Sequence, residues 1–273
     1  MFKEVFENIV KKSPLIHNIT NYVTVNDCAN ILLAAKASPI MADEPSEAAE
    51  ITSICSGLNI NIGTLNERTI KSMFISGERA NDINIPVLLD PVGAGASTLR
   101  TNTAKELIEK VKFSVIRGNV SEIKTLACGG GATKGVDAAE EDAINNNTID
   151  KTLELAVEFA KNTGAVIVIT GKTDIVTDGE KSFLIYNGNK LMSSVTGTGC
   201  MLSALMTAFI AANDDNVLDA AAAAVCTMGL CGEKAIDRMT ASDGNSSYRN
   251  YIIDAVFNLR ADELERGARY EIR

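Results

Sequence analysis

The chain has 273 residues, 46% of them hydrophobic, and a formal net charge of -9, with a pI near 4.8. That is enough apolar material for one large domain over residues 1–273, but it leaves no clustered Lys and Arg to neutralise nucleic-acid phosphates. Charge in every turn of MFKEVFENIVKK, and an apolar tract around Ala220 to Gly232 that is shorter than the roughly 18 residues of a membrane span, predict a soluble protein without an export signal or membrane contact.

After that first segment, PLIHNITNYVTVNDCAN is crowded with Asn and Thr that can line a polar pocket, and its His17 is the one histidine of the chain. A lone histidine makes a Ser/His or Cys/His catalytic pair a poor reading, and His17 reads as structural. Short Ile- and Val-rich runs then recur at Pro39 to Met41, Leu58 to Ile62, Pro86 to Leu89, Phe113 to Ile116 and Ala165 to Ile169. They alternate with helical patterns at Glu47 to Cys55, Thr103 to Val111 and Lys151 to Lys161, which is the rhythm of βα units. The fold class that follows is α/β, with a mostly parallel central sheet and helices on both faces in three layers. Asp174 to Val176 and Ser182 to Tyr186 flank a turn at Thr177 to Gly179 and predict an antiparallel hairpin at the sheet edge. GGGAT at 129–133 and EEDAINNN at 140–147 read as exposed connection. From Cys200 onward the pattern is helical, through an alanine-rich helix to Met239 and a last helix from Arg249 to Arg266.

Cys28, Cys55, Cys128, Cys200, Cys226 and Cys231 include no CxxC pair, so they predict reduced thiols in a cytoplasm rather than zinc or a disulfide framework. Five of them fall in apolar or helical stretches and read as small core residues. Cys200 differs, because it sits in the first turn of a helix, where the dipole is expected to lower a thiol pKa.

Ligands of open α/β sheets bind outside the carboxyl ends of the strands, and polar residues follow four of the runs here. They are Gly63 and Thr64, DPVGAGAS from Asp90, RGNVSE from Arg117, and TGKTD from Thr170. VTGTGCMLSAL adds a turn in which Gly197 and Gly199 bracket Thr198 directly before a helix, so free amides face a phosphate or a tight turn is simply being packed. Asp90 can hold magnesium or cap a turn, Arg117 can pair with phosphate, and Asn119 with Glu122 is a second carboxylate site or an ordinary capping box.

Taken together, PLIHNITNYVTVNDCANILLAAKASPIMADEPSE, NINIGTL, LLDPVGAGAS, VIRGNVSEI, KGVDA, VITGKTDIVTDG and LMSSVTGTGCMLSA resemble hydroxyethylthiazole kinases, thiamine-salvage enzymes of ribokinase-like fold, in order from Pro14 to Ala204. The resemblance implies MgATP-dependent phosphorylation of 4-methyl-5-(2-hydroxyethyl)thiazole, with ATP as co-substrate, and a homotrimer with sites at subunit interfaces. Carried over by position, it implies that Met41, Asn26 and the backbone of Gly197 contact the thiazole, and that Arg117, Thr170 and Asn119 meet ATP. Asp90 and Glu122 would organise Mg2+, while Cys200, with Gly197, Thr198 and Gly199, forms the catalytic turn where most ribokinase-like enzymes carry an aspartate. DGNSSY at 243–248 departs from a GlyProGlySer-like stretch usual in those kinases. The alternatives are another ribokinase-like catalyst, such as a hydroxymethylpyrimidine kinase or a nucleotide-dependent hydrate dehydratase, a non-catalytic nucleotide-binding module, and a Cys-nucleophile hydrolase.

Overall fold

The computed structural model describes residues 1–128 and 146–273, with side chains from 149 in the second stretch; GGGAT, KGVDA and most of EEDAINNN lie outside the described residues. Among the described residues, one nine-stranded sheet runs β2–β1–β3–β4–β5–β6–β7–β8–β9. Its strands are β1 (Leu15–Ile19), β2 (Ser38–Met41), β3 (Gly57–Asn61), β4 (Val87–Asp90), β5 (Val115–Asn119), β6 (Val166–Thr170), β7 (Asp174–Thr177), β8 (Ser182–Ile185) and β9 (Tyr270–Ile272). The first six are parallel and the last three antiparallel.

Burial on both faces explains why the parallel strands read as continuous apolar runs. Along β6, Val166 and Val168 enter one core while Ile167 and Ile169 enter the other. The first core is closed by α1 (Phe2–Lys12), α2 (Val25–Ala34), α8 (Thr198–Ala212), α9 (Val217–Asp237), α10 (Asn245–Asn258) and α11 (Ala261–Gly267). The second is closed by α4 (Glu67–Asp82), α5 (Thr98–Lys110), α6 (Val120–Ala127) and α7 (Asn146–Thr163), with α3 (Ala48–Ser53) packed on α4. The layers are therefore helix, sheet, helix.

Three expectations need correction. The β7–β8 hairpin is not the sheet edge, because the chain end returns as β9 and pairs with β8, Phe183 opposite Ile272 and Ile185 opposite Tyr270. The expected helix from Arg249 to Arg266 is two helices, broken where Leu259 turns to extended backbone (φ -64, ψ 138) and its side chain stays in the core. Cys128 is exposed at the end of α6 and is not a core residue, unlike the buried Cys28, Cys55, Cys226 and Cys231. The segment 243–248 starts α10 at Asn245, with Gly244 ahead of it and Asp243 accepting from the Thr240 N–H and hydroxyl at 2.8 Å each.

Candidate active site

The parallel strands all end at one side of the sheet, and the polar residues that follow them converge there on the first turn of α8. Asn61 stands opposite Asp90 in the β3–β4 register, and Asn119 opposite Thr170 between β5 and β6. Gly197, at φ +89, turns the chain into α8. A side chain on Gly197 would strike Thr24 Cγ2, and a Cβ on Gly199 would lie 2.7 Å from Arg117 Nη1. The two glycines therefore have separate physical reasons: a left-handed backbone at one, and the close approach of a guanidinium at the other.

Arg117 is almost fully buried and joins three elements. It donates to Thr170 Oγ1 at 2.8 Å, lies 3.6 Å from Asp90 Oδ1, and rests on Gly199 of α8. Asp90 is completely buried. Its Oδ2 accepts from Asn61 Nδ2 and from the Ser203 hydroxyl, each at 2.8 Å, while Oδ1 has no hydrogen-bond partner. Burial pushes the Asp90 carboxyl above the usual range, and Arg117, Ser203 and Asn61 pull it back towards the charged form.

Asn119 and Glu122 form the capping box of α6, with Asn119 Oδ1 accepting from the Glu122 N–H and Glu122 Oε2 from the Asn119 N–H, both at 2.8 Å. Glu122 Oε1 also accepts from the Gly93 N–H at 2.8 Å, which ties α6 to the turn after Asp90. Burial and the Asp90 charge push the Glu122 carboxyl up, against Gly93, Asn119 and Arg117. The capping reading of NVSE is thus realised, and it presents a carboxylate beside Asp90.

A divalent ion with oxygen ligands fits this pair in one manner. Asp90 Oδ1 is unengaged by hydrogen bonds, whereas both Glu122 oxygens already accept backbone N–H groups. Among the described residues no group of three or more His, Cys, Asp or Glu could hold a metal. Mg2+ commonly needs only one or two carboxylates, because waters and substrate phosphates complete its shell.

Cys200 lies in the same knot, buried, with its Sγ accepting from Asn21 Nδ2 and Asn61 Nδ2 at 3.3 Å each. The helix-dipole expectation for its thiol is overturned. Burial raises the pKa from its ordinary value and the Asp90 carboxylate adds to this, outweighing Thr24, Asn21 and Arg117. Desolvation penalises the charged thiolate.

The remaining sequence candidates are placed as follows. Thr198 opens α8, and its hydroxyl is 3.4 Å from the Met192 carbonyl. Met41 ends β2, partly buried against the first core. Asn26 is exposed one residue into α2 and accepts from Asn30 Nδ2 at 3.0 Å, so the chain itself does not bring it to Cys200. His17 is buried away from the reacting turn, bonded to the Ala42 carbonyl at 2.8 Å and to Thr52 Oγ1 at 3.0 Å. Burial lowers its pKa, as fits a neutral, structural imidazole. Sequence reasoning did not single out Asn61 or Ser203, and reached Asn21 only as part of the Asn- and Thr-rich segment that can line a polar pocket. The available signal was NIN in β3: Asn59 and Asn61, two apart in a strand without a solvent face, must share one polar side. Two cavities of about 350 and 370 Å³ lie at the opposite ends of the strands around Lys112 and Phe113, remote from this chemistry.

Comparison with known proteins agrees with this architecture. The sequence profile of the hydroxyethylthiazole kinase family matches residues 6–262. A hydroxyethylthiazole kinase of Clostridium acetobutylicum is 61% identical over 271 residues, covering 99% of each chain. One of Clostridium beijerinckii is 54% identical, over 93% of this chain and 91% of its own. Among solved structures, a hydroxyethylthiazole kinase protein from Pyrococcus horikoshii OT3 superposes with a TM-score of 0.88 at 32% identity, covering 100% of this chain and 98% of that one. A Staphylococcus aureus pyridoxal kinase, solved with AMP-PCP and pyridoxal, shares the fold at a TM-score of 0.61 and 14% identity, over 95% and 98% of the two chains. The three-layer fold is that of the ribokinase-like proteins.

Proposed function

The chain belongs to the hydroxyethylthiazole kinase family, and from that membership we propose that it transfers the γ-phosphoryl group of ATP to the hydroxyl of 4-methyl-5-(2-hydroxyethyl)thiazole in thiamine salvage. The observation that carries the reading is the convergence of Arg117 and Asp90 on the amide end of α8, which fits positioning and charge stabilisation of a transferring phosphoryl group.

In this reading the free amides from Gly197 to Cys200 hold the γ-phosphoryl, because a helix N-terminus presents unpaired N–H donors to an anion. Arg117, braced by Thr170, meets the ATP phosphates from the strand side, with Asn119 at the neighbouring strand end. Asp90 and Glu122 would hold Mg2+, Asp90 with the one carboxylate oxygen that has no hydrogen-bond partner, and the ion would neutralise phosphate charge. Met41 and the Gly197 backbone would face the thiazole, placing its hydroxyl beside Cys200. Exposed Asn26 fits that set where a second subunit closes the site. Tyr22 at 79% and Val23 at 59% exposure, next to Asn21, leave apolar surface that a neighbouring subunit would cover in the homotrimer implied by the resemblance.

Burial keeps the Cys200 thiol protonated at neutral pH, which supports a mainly positional role. A loose phosphoryl-transfer transition state asks for little base strength. Six free cysteines, with no helix among the described residues long and apolar enough to cross a membrane, support a soluble, cytoplasmic protein. The test is ADP release with hydroxyethylthiazole against hydroxymethylpyrimidine at equal MgATP. Turnover of the thiazole is expected, and a clear preference for the pyrimidine would move the assignment to a sister kinase.

A further inference from the structure

We propose that Asn61 is a positioning residue for phosphoryl transfer, its one amide group tying the Asp90 carboxylate to the Cys200 sulfur. Asn61 ends β3 and is 1% exposed. Its Nδ2 donates to Asp90 Oδ2 at 2.8 Å and to Cys200 Sγ at 3.3 Å, one acceptor for each of its two hydrogens. The orientation of the amide follows from its neighbours. Asn61 Oδ1 accepts from the Gly63 N–H at 2.9 Å and from Asn21 Nδ2 at 3.0 Å. A backbone N–H can only donate, so the oxygen end must face Gly63 and the nitrogen end must face Asp90 and Cys200.

Asn21 is fixed in the same way, with its Oδ1 accepting from the Thr24 N–H and hydroxyl at 3.1 Å each. That leaves Asn21 Nδ2 pointing to Asn61 and to Cys200 Sγ. The sulfur therefore receives two N–H donors, one from the end of β3 and one from the turn after β1, and it is held by groups that cannot be turned round. Cys200 and Ser203 are three residues apart on α8, on one face of its first two turns. Ser203 donates to the same Asp90 oxygen as Asn61. The Asn61–Asp90 pair thus fastens the start of α8 to β3 and β4 at two points, fixing the distance between the carboxylate side of the site and the sulfur.

This inference rests on the kinase reading, and it is tested so that the two can fail separately. Asn61→Asp keeps the oxygen that accepts from Gly63 and Asn21 but loses the donor, and Asn61→Ala removes the donor without adding charge. Each is made with Cys200 intact and in a Cys200→Ala background, and kcat and both KM values are measured by ADP release. Loss of such a supporting hydrogen bond is expected to lower kcat roughly 10- to 100-fold. The KM values should stay within about 3-fold, because the residue touches neither substrate. In the Cys200→Ala background the loss should shrink by at least about fivefold, since a residue acting through the sulfur cannot act where the sulfur is gone. Equal losses in both backgrounds would overturn the proposal and leave Asn61 a structural residue.

The S–H stretching band of Cys200, obtained as an infrared difference against Cys200→Ala, gives a reading that does not depend on turnover. It should shift in whichever Asn61 variant folds; a band in the parent position would overturn the proposal. A parent protein that shows the band but no thiazole turnover would contradict the kinase reading alone.

Discussion

Gly199→Ala displaces Arg117 without substituting it. The added Cβ would sit 2.7 Å from Nη1, 2.8 Å from Nη2 and 3.2 Å from Cζ of Arg117. Gly199 has ordinary helical backbone, so alanine gains up to about 1 kcal/mol of helix propensity. The clash is with the far end of a flexible side chain, which can swing away. What it loses is the 2.8 Å bond to Thr170 and the 3.6 Å approach to Asp90, both in a buried setting. Hydrogen bonds to charged groups contribute about 1.5–3 kcal/mol. The net destabilisation is then about 1–2 kcal/mol, or a few degrees of Tm for a chain of this size. The same 1.5–3 kcal/mol, withdrawn from the transition state, is roughly a 10- to 150-fold loss in kcat/KM for ATP. ADP release with ATP varied, beside a thermal melt, measures both. A kcat/KM within about twofold of the parent would refute the idea that the guanidinium on Gly199 serves the nucleotide.

Gly197→Ala is a different perturbation, because φ +89 disfavours any side chain and the new methyl meets Thr24. It should cost about 1–3 kcal/mol of stability, read as a lower urea midpoint, and an unchanged midpoint would show that the turn relaxes freely. Cys200→Ser should reduce kcat yet leave measurable activity; complete inactivation with normal folding and ATP binding would contradict a positional role. Burial pushes the Asp174 carboxyl up to about 7, against the Gly171 N–H it accepts from and the Arg117 charge. Its contribution to stability is therefore fully present below the ordinary value of 3.8 and lost as pH rises through about 7. Asp174→Asn should thus gain more on the parent at pH 8.5 than at pH 5 in urea titrations. Equal differences at the two pH values would show that the carboxyl does not titrate there.

Much of the candidate site was legible because strand runs end where their polar residues begin. Asp90, Arg117 and Thr170 each close or follow an apolar run, and the parallel sheet brings those ends together. β1 was not read as a strand, since LIHNI carries two polar residues whose partners, Thr52, Ala42 and Asn59, lie far along the chain. β9 was missed because three residues, partly buried or exposed, give no period; pairing with β8 alone makes them a strand. The Cys200 thiol was misjudged for a related reason. A helix start is visible in sequence, whereas the carboxylate of Asp90 and the closing of solvent around the sulfur are tertiary facts. Asn61 was hidden by the same distance, lying 29 residues from Asp90 and 139 from Cys200 along the chain.

The central claim is that the cluster around Asp90, Arg117 and Cys200 phosphorylates a thiazole alcohol. Purified protein with MgATP, assayed for ADP release and for the phosphate ester of hydroxyethylthiazole in the same sample, tests it most directly. The account predicts one ester formed per ADP released, with hydroxymethylpyrimidine a poor substitute. ATP binding without ADP release in the presence of the thiazole would contradict it.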